Sequence, residues 1–228
     1  MFPFPDAIFG WYDLGATFFW ALSGAMLAAR KGYDIMGIFM IAFVSSTGGG
    51  MLRDCLFLPG TAAPKVIQTP TYLIIVVVVV AIVVVFGRLL RRLSWLPRVL
   101  TLADALGIGA YGAVGMHYAV AAGIPLAGAI LVGVINAVGG GALRDLLMVQ
   151  PLELLRPSVL MGLSSVMGCV LFAVLLEAGF SDPWAGAAAA VTAFAIRLLA
   201  LRFNVRSHAL RAFEEDWRRG ADGGKSPP

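Results

Sequence analysis

Between Thr71 and Phe86 the chain reads Thr-Tyr-Leu-Ile-Ile-Val-Val-Val-Val-Val-Ala-Ile-Val-Val-Val-Phe without a single charge. The stretch is too long and too uniformly apolar for an ordinary strand, and it suits a helix crossing about 30 Å of hydrocarbon. Six similar stretches surround it, which places predicted helical spans at about 10–29, 35–58, 71–90, 99–121, 124–148, 157–178 and 183–201. Composition agrees: 60% of the 228 residues are hydrophobic and 13% charged, against roughly one quarter charged in soluble domains. The expected class is an all-α membrane protein with seven transmembrane helices. One transmembrane domain over 1–205 and a cytoplasmic tail over 206–228 account for the whole chain, the tail being basic, then polar with Gly and Pro.

The net charge of +4 does not point to nucleic acid, because the basic residues fall in short loops and the tail rather than in a patch interleaved with aromatics. Arg30, Lys31, Arg88, Arg91, Arg92, Arg98, Arg156, Arg202, Arg206, Arg211, Arg218 and Arg219 follow spans one, three, five and seven, whereas the opposite loops hold Lys65. An excess of Lys and Arg marks cytoplasmic loops, so the N-terminus is expected outside and the C-terminus in the cytoplasm. No basic leader precedes the first apolar run, and that span is expected to direct insertion itself. Cys55 and Cys169, the two cysteines, stand in apolar segments and support neither a disulfide framework nor a thiolate metal site.

A shift of 91 positions superimposes distinctive residues. Asp13 meets Asp104, Trp20 meets Tyr111, and Gly24, Ala28, Gly32 and Gly37 meet Gly115, Ala119, Gly123 and Gly128. The string Gly48-Gly49-Gly50-Met-Leu-Arg53-Asp54 falls on Gly139-Gly140-Gly141-Ala-Leu-Arg144-Asp145. Each copy contains three predicted spans, an odd number, so the second copy enters the membrane from the opposite face. The expected architecture is therefore two inverted three-helix repeats, about 8–93 and 99–179, followed by a seventh helix at about 183–202.

Three successive glycines in an apolar helix cost roughly 1 kcal/mol each relative to alanine, which predicts a bend or break at each triplet, with freed carbonyls lining a cavity. Close helix packing is the competing explanation, since Ala42, Ser46 and Gly50, like Gly133, Ala137 and Gly141, form small-residue stripes at spacing four. The two can coexist on different faces. An arginine deep in a membrane costs about 2.5–3.5 kcal/mol on insertion scales, so Arg53 and Arg144 should face a polar interior and find partners. Adjacent helical residues point about 100° apart, so neither arginine is bound to pair with its neighbour Asp54 or Asp145, and Asp13 and Asp104 are candidates across the repeats. A symmetric ion path, an alternating-access carrier and a pair of structural clamps all remain compatible with these charges.

Other signals carry less. Gly107-Ile-Gly109-Ala-Tyr-Gly112 matches a dinucleotide fingerprint, but no strand precedes it and it lies inside a predicted span. His117 and His208 are isolated in sequence, neither triplet continues into Gly-Lys-Ser/Thr, and Glu214, Glu215 and Asp216 read as a solvated face. With no nucleophile–base pair, metal-ligand spacing or cofactor motif, no enzyme, metal site or cofactor is expected.

The duplicated Gly-Gly-Gly-x-Leu-Arg-Asp strings and the three-plus-three-plus-one span pattern resemble those of prokaryotic trimeric intracellular cation (TRIC) channels, over roughly residues 8–205. The resemblance implies a homotrimer in a bacterial inner membrane, among membrane lipids, each protomer enclosing a pore lined by its second and fifth helices and permeable to K⁺ and Na⁺. It implies pore and hinge roles for Gly48, Gly49, Gly50, Gly139, Gly140 and Gly141, and pore roles for Arg53 and Arg144. Asp54, Asp145, Asp13 and Asp104 are the acids available to balance those arginines. Animal members carry a basic phosphoinositide-binding string where Met51-Leu52 and Ala142-Leu143 stand here, so that control is not expected. Related bacterial sequences also bear the label glycine transporter, a carrier function that an inverted repeat equally suits.

Overall fold

The computed structural model describes residues 4–58, 63–152 and 161–203, and within these it is all-helical. The helices are α1 (Phe4–Arg30), α2 (Ile35–Leu52), α3 (Lys65–Gln68), α4 (Pro70–Arg92), α5 (Leu96–Ala121), α6 (Leu126–Leu147), α7 (Met161–Glu177) and α8 (Asp182–Phe203), with a π-helical turn, Arg53–Phe57, continuing α2. Apart from the short α3, each overlaps one predicted span. Five of them, α2 with its π turn, α4, α5, α6 and α8, are long and apolar enough to cross a membrane, and α7 is a shorter apolar helix. The predicted tail over 206–228 lies outside the described residues.

The run that opens the argument forms α4, where Val76, Val79, Val80 and Val83 are buried while Ile74, Val77, Val78, Val84 and Val85 are exposed. The buried positions follow the helical period of i, i+3, i+4, i+7, and the exposed ones are equally apolar, as lipid requires and water would not.

Local chemistry sets the helix ends, and it does so twice. Gly32 and Gly123 both adopt φ +78°, which a side chain resists. Each ends its helix in a Schellman motif: Gly32 and Tyr33 donate to Ala29 and Ala28, and Gly123 and Ile124 donate to Val120 and Ala119. Asp34 then caps α2, its Oδ1 accepting from the Gly37 amide at 2.7 Å. Pro70 and Pro97 occupy the first turns of α4 and α5, where a missing N–H is harmless.

Packing repeats in the same way. Helix α1 lies against α2 and α4, α5 lies against α6 and α7, and the two bundles join through α2–α6 and α1–α5 contacts. Gly24 brings α1 within 2.7 Å of the Ser45 Cβ for any added methyl, and its equivalent Gly115 brings α5 within 2.8 Å of the Asn136 Cβ. One apolar core fills each bundle, around Met26, Ile41 and Val79 in the first and Val114, Val132 and Phe172 in the second. A third, with Trp20, Ile108 and Tyr111, joins them. Helix α8 packs on α5 and α7.

Candidate functional site

The two glycine triplets meet each other. A methyl group at Gly49 would overlap the Asn136 carbonyl oxygen, and one at Gly140 would overlap the Ser45 carbonyl oxygen. Likewise a methyl at Gly48 would sit 3.0 Å from Leu143 Cδ1, and one at Gly139 would sit 2.8 Å from Leu52 Cδ1. Each pair of contacts interconverts under the shift of 91, and Ser45 faces Gly140 while Gly49 faces Asn136, so α2 and α6 cross antiparallel. This is the inverted repeat seen in atoms.

The triplets do not interrupt their helices: α2 is α-helical to Leu52 and α6 to Leu147. Backbone contact with the facing helix replaces the packing that side chains would provide, which removes the reason to bend there. The irregular backbone comes one turn later and on α2 alone, where the Arg53 amide donates to both Gly49 and Gly50 carbonyls and the π turn begins. The third glycine of each triplet has a different surrounding. A methyl at Gly50 would come no nearer than 3.8 Å to Arg53 Nη2, and one at Gly141 no nearer than 4.0 Å to Met161 Cε.

These third glycines border two polar cavities at opposite ends of the crossing. The first is lined by Asp13, Gly50, Arg53, Asp54, Lys65 and Tyr72, with Ser46, Thr47, Val66 and Tyr111. The second is lined by Asp104, Gly141 and Arg144, with Trp20, Ser23, Ser45 and Met161. Asp13 and Asp104, Gly50 and Gly141, Arg53 and Arg144, and Tyr111 and Trp20 are repeat equivalents. Each cavity leaves about 10 Å³ for the centre of a water molecule, room for about one. Between them Trp20 stacks on Tyr111, ring centroids 5.0 Å apart and planes 18° from parallel. Tyr111 is anchored by Oη donating to the Ser46 carbonyl at 2.7 Å, and its Oη also lies 2.8 Å from Thr17 Oγ1. Its carbonyl accepts from Asn136 Nδ2 at 2.6 Å.

Arg53 is 1% exposed, the largest side chain buried so completely. Its Nε donates to Asp54 Oδ1 at 2.7 Å, its guanidinium lies 4.6 Å from the Tyr118 ring centroid, and its Nη1 has no hydrogen-bond partner among the described residues. Asp54 Oδ2 accepts from the Lys65 amide at 2.9 Å, which ties the start of α3 to the π turn. Asp13 accepts from Tyr72 Oη at 2.5 Å and lines the same cavity as Arg53. Arg144 donates from Nε and Nη2 to Asp145 Oδ1 at 3.0 and 2.8 Å, with its side chain 13% exposed.

Both arginines pair with the aspartate next in sequence, a pairing that the 100° offset left open. The guanidinium stem is long enough to fold back over one peptide. Asp13 lines the cavity of Arg53 and Asp104 that of Arg144, each beside the arginine of its own repeat.

Sequence reasoning missed Lys65, Tyr72 and Tyr118 as site residues, and it missed Arg197 of α8. Arg197 Nη2 lies 3.8 Å from Asp104 Oδ2, so α8 brings a further cation to a residue that lines the second cavity. It also brings Asp182 to His117, Oδ2 to Nδ1 at 2.9 Å, with the imidazole stacked 4.2 Å from Phe9. The histidine isolated in sequence is thus a clamp between α5 and α8. The glycines of the false dinucleotide fingerprint serve packing: added methyls would meet Trp20 at Gly107, the Ala190 backbone at Gly109 and Cys169 Sγ at Gly112. Among the described residues no group of three His, Cys, Asp or Glu could hold a metal.

A TRIC cation channel structure superposes with a TM-score of 0.80 at 24% identity, over 87% of this chain and 95% of that one. The TRIC orthologue from Rhodobacter sphaeroides does so with a TM-score of 0.78 at 26% identity, over 86% and 98%. The inner membrane protein YadS of Escherichia coli, a UPF0126 protein, is 30% identical over 86% of this chain and 93% of its own. A UPF0126 membrane protein of Deinococcus radiodurans is 33% identical over 60% of this chain, which spans 61% of that relative's length. The family profile described as glycine transporter matches twice, over residues 10–88 and 101–177, starts that are again 91 apart. The chain is a membrane protein with the fold of the TRIC channels, and it belongs to the family described as glycine transporter.

Proposed function

We propose that the protein is a cation channel in a bacterial inner membrane, with one conduction path per protomer of a homotrimer. The carrying observation is the pair of equivalent polar cavities at opposite ends of the α2–α6 crossing, with the Trp20–Tyr111 stack between them. Room for about one water in each cavity describes a closed path. Opening requires α2 and α6 to slide or part at the Gly48–Gly50 and Gly139–Gly141 contacts, which makes these glycines the hinge. K⁺ and Na⁺ are the proposed permeant ions. Buried arginines beside a cation path are tolerable here because Asp54 and Asp145 pair with them and Asp13 and Asp104 line the same cavities. The distribution of Arg and Lys supports an N-terminus outside, which puts the Arg53 cavity at the outer mouth and the Arg144 cavity at the inner.

The test is Arg53→Ala and Arg144→Ala in planar bilayers. Altered conductance or gating supports the pore role, and wild-type currents from both variants contradict it.

One observation favours a second reading, a carrier for a small zwitterion such as glycine. Arg53, whose buried Nη1 lacks a hydrogen-bond partner among the described residues, lines a cavity together with Asp13, one group for a carboxylate and one for an ammonium. The family's description points the same way. Saturable glycine uptake into reconstituted vesicles, in the absence of unitary currents, would establish this reading over the channel.

A further inference from the structure

Lys65 reaches the face of Tyr118, its Nζ 3.3 Å from the ring centroid. An ammonium at that distance from a tyrosine face is held by the ring quadrupole, more strongly as water is excluded. The same ring lies 4.6 Å from the Arg53 guanidinium, and Lys65 lines the first cavity together with Asp13, Asp54 and Tyr72. Lys65 belongs to α3 in the first repeat and Tyr118 to α5 in the second, so the contact spans the two bundles.

We propose that the Tyr118 face, reached by Lys65 from the cavity that Asp13 and Asp54 line, is a binding site for a primary ammonium-class monovalent cation, and that the chain's own Lys65 fills it in the closed state. Lys65 then acts as a tethered competitor of an entering cation. Its withdrawal frees an aromatic and acidic surface for that cation and releases α3 from α5. The inference rests on the channel reading for its effect on current, whereas the site itself does not depend on it.

Lys65→Met and Lys65→Ala remove the ammonium but keep the amide that bonds Asp54 Oδ2 at 2.9 Å, so the start of α3 stays tied. Lys65→Arg keeps a cation. In planar bilayers, Lys65→Ala should raise open probability roughly 5- to 30-fold, the factor that a desolvated cation–π contact corresponds to, and Lys65→Arg should stay near wild type. Millimolar n-butylammonium on the outer side should return Lys65→Ala toward wild-type gating and leave wild type unchanged. A second readout needs no current: n-butylammonium chloride should raise the unfolding temperature of Lys65→Met saturably. It should not do so for wild type or for Lys65→Met with Tyr118→Leu, with sodium chloride at equal ionic strength as the blank. Equal responses of wild type and Lys65→Met, or persistence of the response without Tyr118, overturn the site. Wild-type-like currents from Lys65→Ala overturn the tether. Absence of current in wild type sinks the channel reading, and the thermal titration then still decides the site.

Discussion

Replacing Gly49 by alanine puts a methyl group onto the Asn136 carbonyl oxygen of the facing helix, an overlap with backbone that no rotamer change relieves. The helices must part, and overpacking of this kind costs about 1–3 kcal/mol, with backbone partners toward the upper end. Alanine recovers about 1 kcal/mol of helix propensity, which leaves a net loss of about 2 kcal/mol. The same substitution one residue later behaves differently. At Gly50 the nearest atom is Arg53 Nη2 at 3.8 Å, so the propensity gain of about 1 kcal/mol stands almost alone. A chain of this size shifts its unfolding temperature by roughly 2–4 °C per kcal/mol. Gly49→Ala should therefore fall by about 4–8 °C and Gly50→Ala rise by up to about 4 °C. Inverted symmetry adds that Gly140→Ala follows Gly49→Ala and Gly141→Ala follows Gly50→Ala. Fluorescence-detected size exclusion after heating, on detergent-solubilised protein, measures all four. If Gly49→Ala were no less stable than Gly50→Ala, the triplets would not be crossing at their first two glycines and the reasoning would fail.

Removing one partner of a buried ion pair costs about 3–5 kcal/mol, so Asp54→Ala should be strongly destabilising, and the double variant Arg53→Met/Asp54→Leu should recover most of the loss in the same thermal assay. Asp145→Ala should cost less than Asp54→Ala, because the Arg144 side chain keeps 13% exposure against 2% for Arg53; an equal cost would contradict that ranking. Gly32→Ala and Gly123→Ala each force a side chain to φ +78° with nothing within 4 Å, so the penalty is conformational alone, about 1–2 kcal/mol, and equal for the two within the error of chemical denaturation.

Much of the fold was legible because the signals were local or periodic. The apolar runs give the helices, Gly32 and Gly123 mark helix ends, and the shift of 91 predicts which contacts recur. Contacts between helices were not legible in the same way. Nothing in the string around Gly49 says that its neighbour is the Asn136 carbonyl, so the sequence left bending and close packing open where the structure shows a backbone crossing. Arg53 and Arg144 fold back on the next aspartate alike, one from a π turn and the other from a regular α-helix, so helical phase alone was a poor guide to the pairing. Tyr118 and Lys65 meet across 53 positions, through α3, a four-residue helix too short to carry a period. Arg197 could have been found: it stands inside an apolar span, and the insertion cost that singled out Arg53 applies equally to it. His117 could not, since nothing in its own segment points to Asp182, 65 positions on at the start of α8.

Recording from purified protein in planar bilayers under asymmetric KCl tests the central claim most directly. The account predicts stepwise unitary currents that reverse toward the K⁺ equilibrium potential, with Na⁺ also carrying current, and with amplitude or open probability changed by Arg53→Ala. A silent bilayer, from protein that takes up glycine saturably into vesicles, would contradict it.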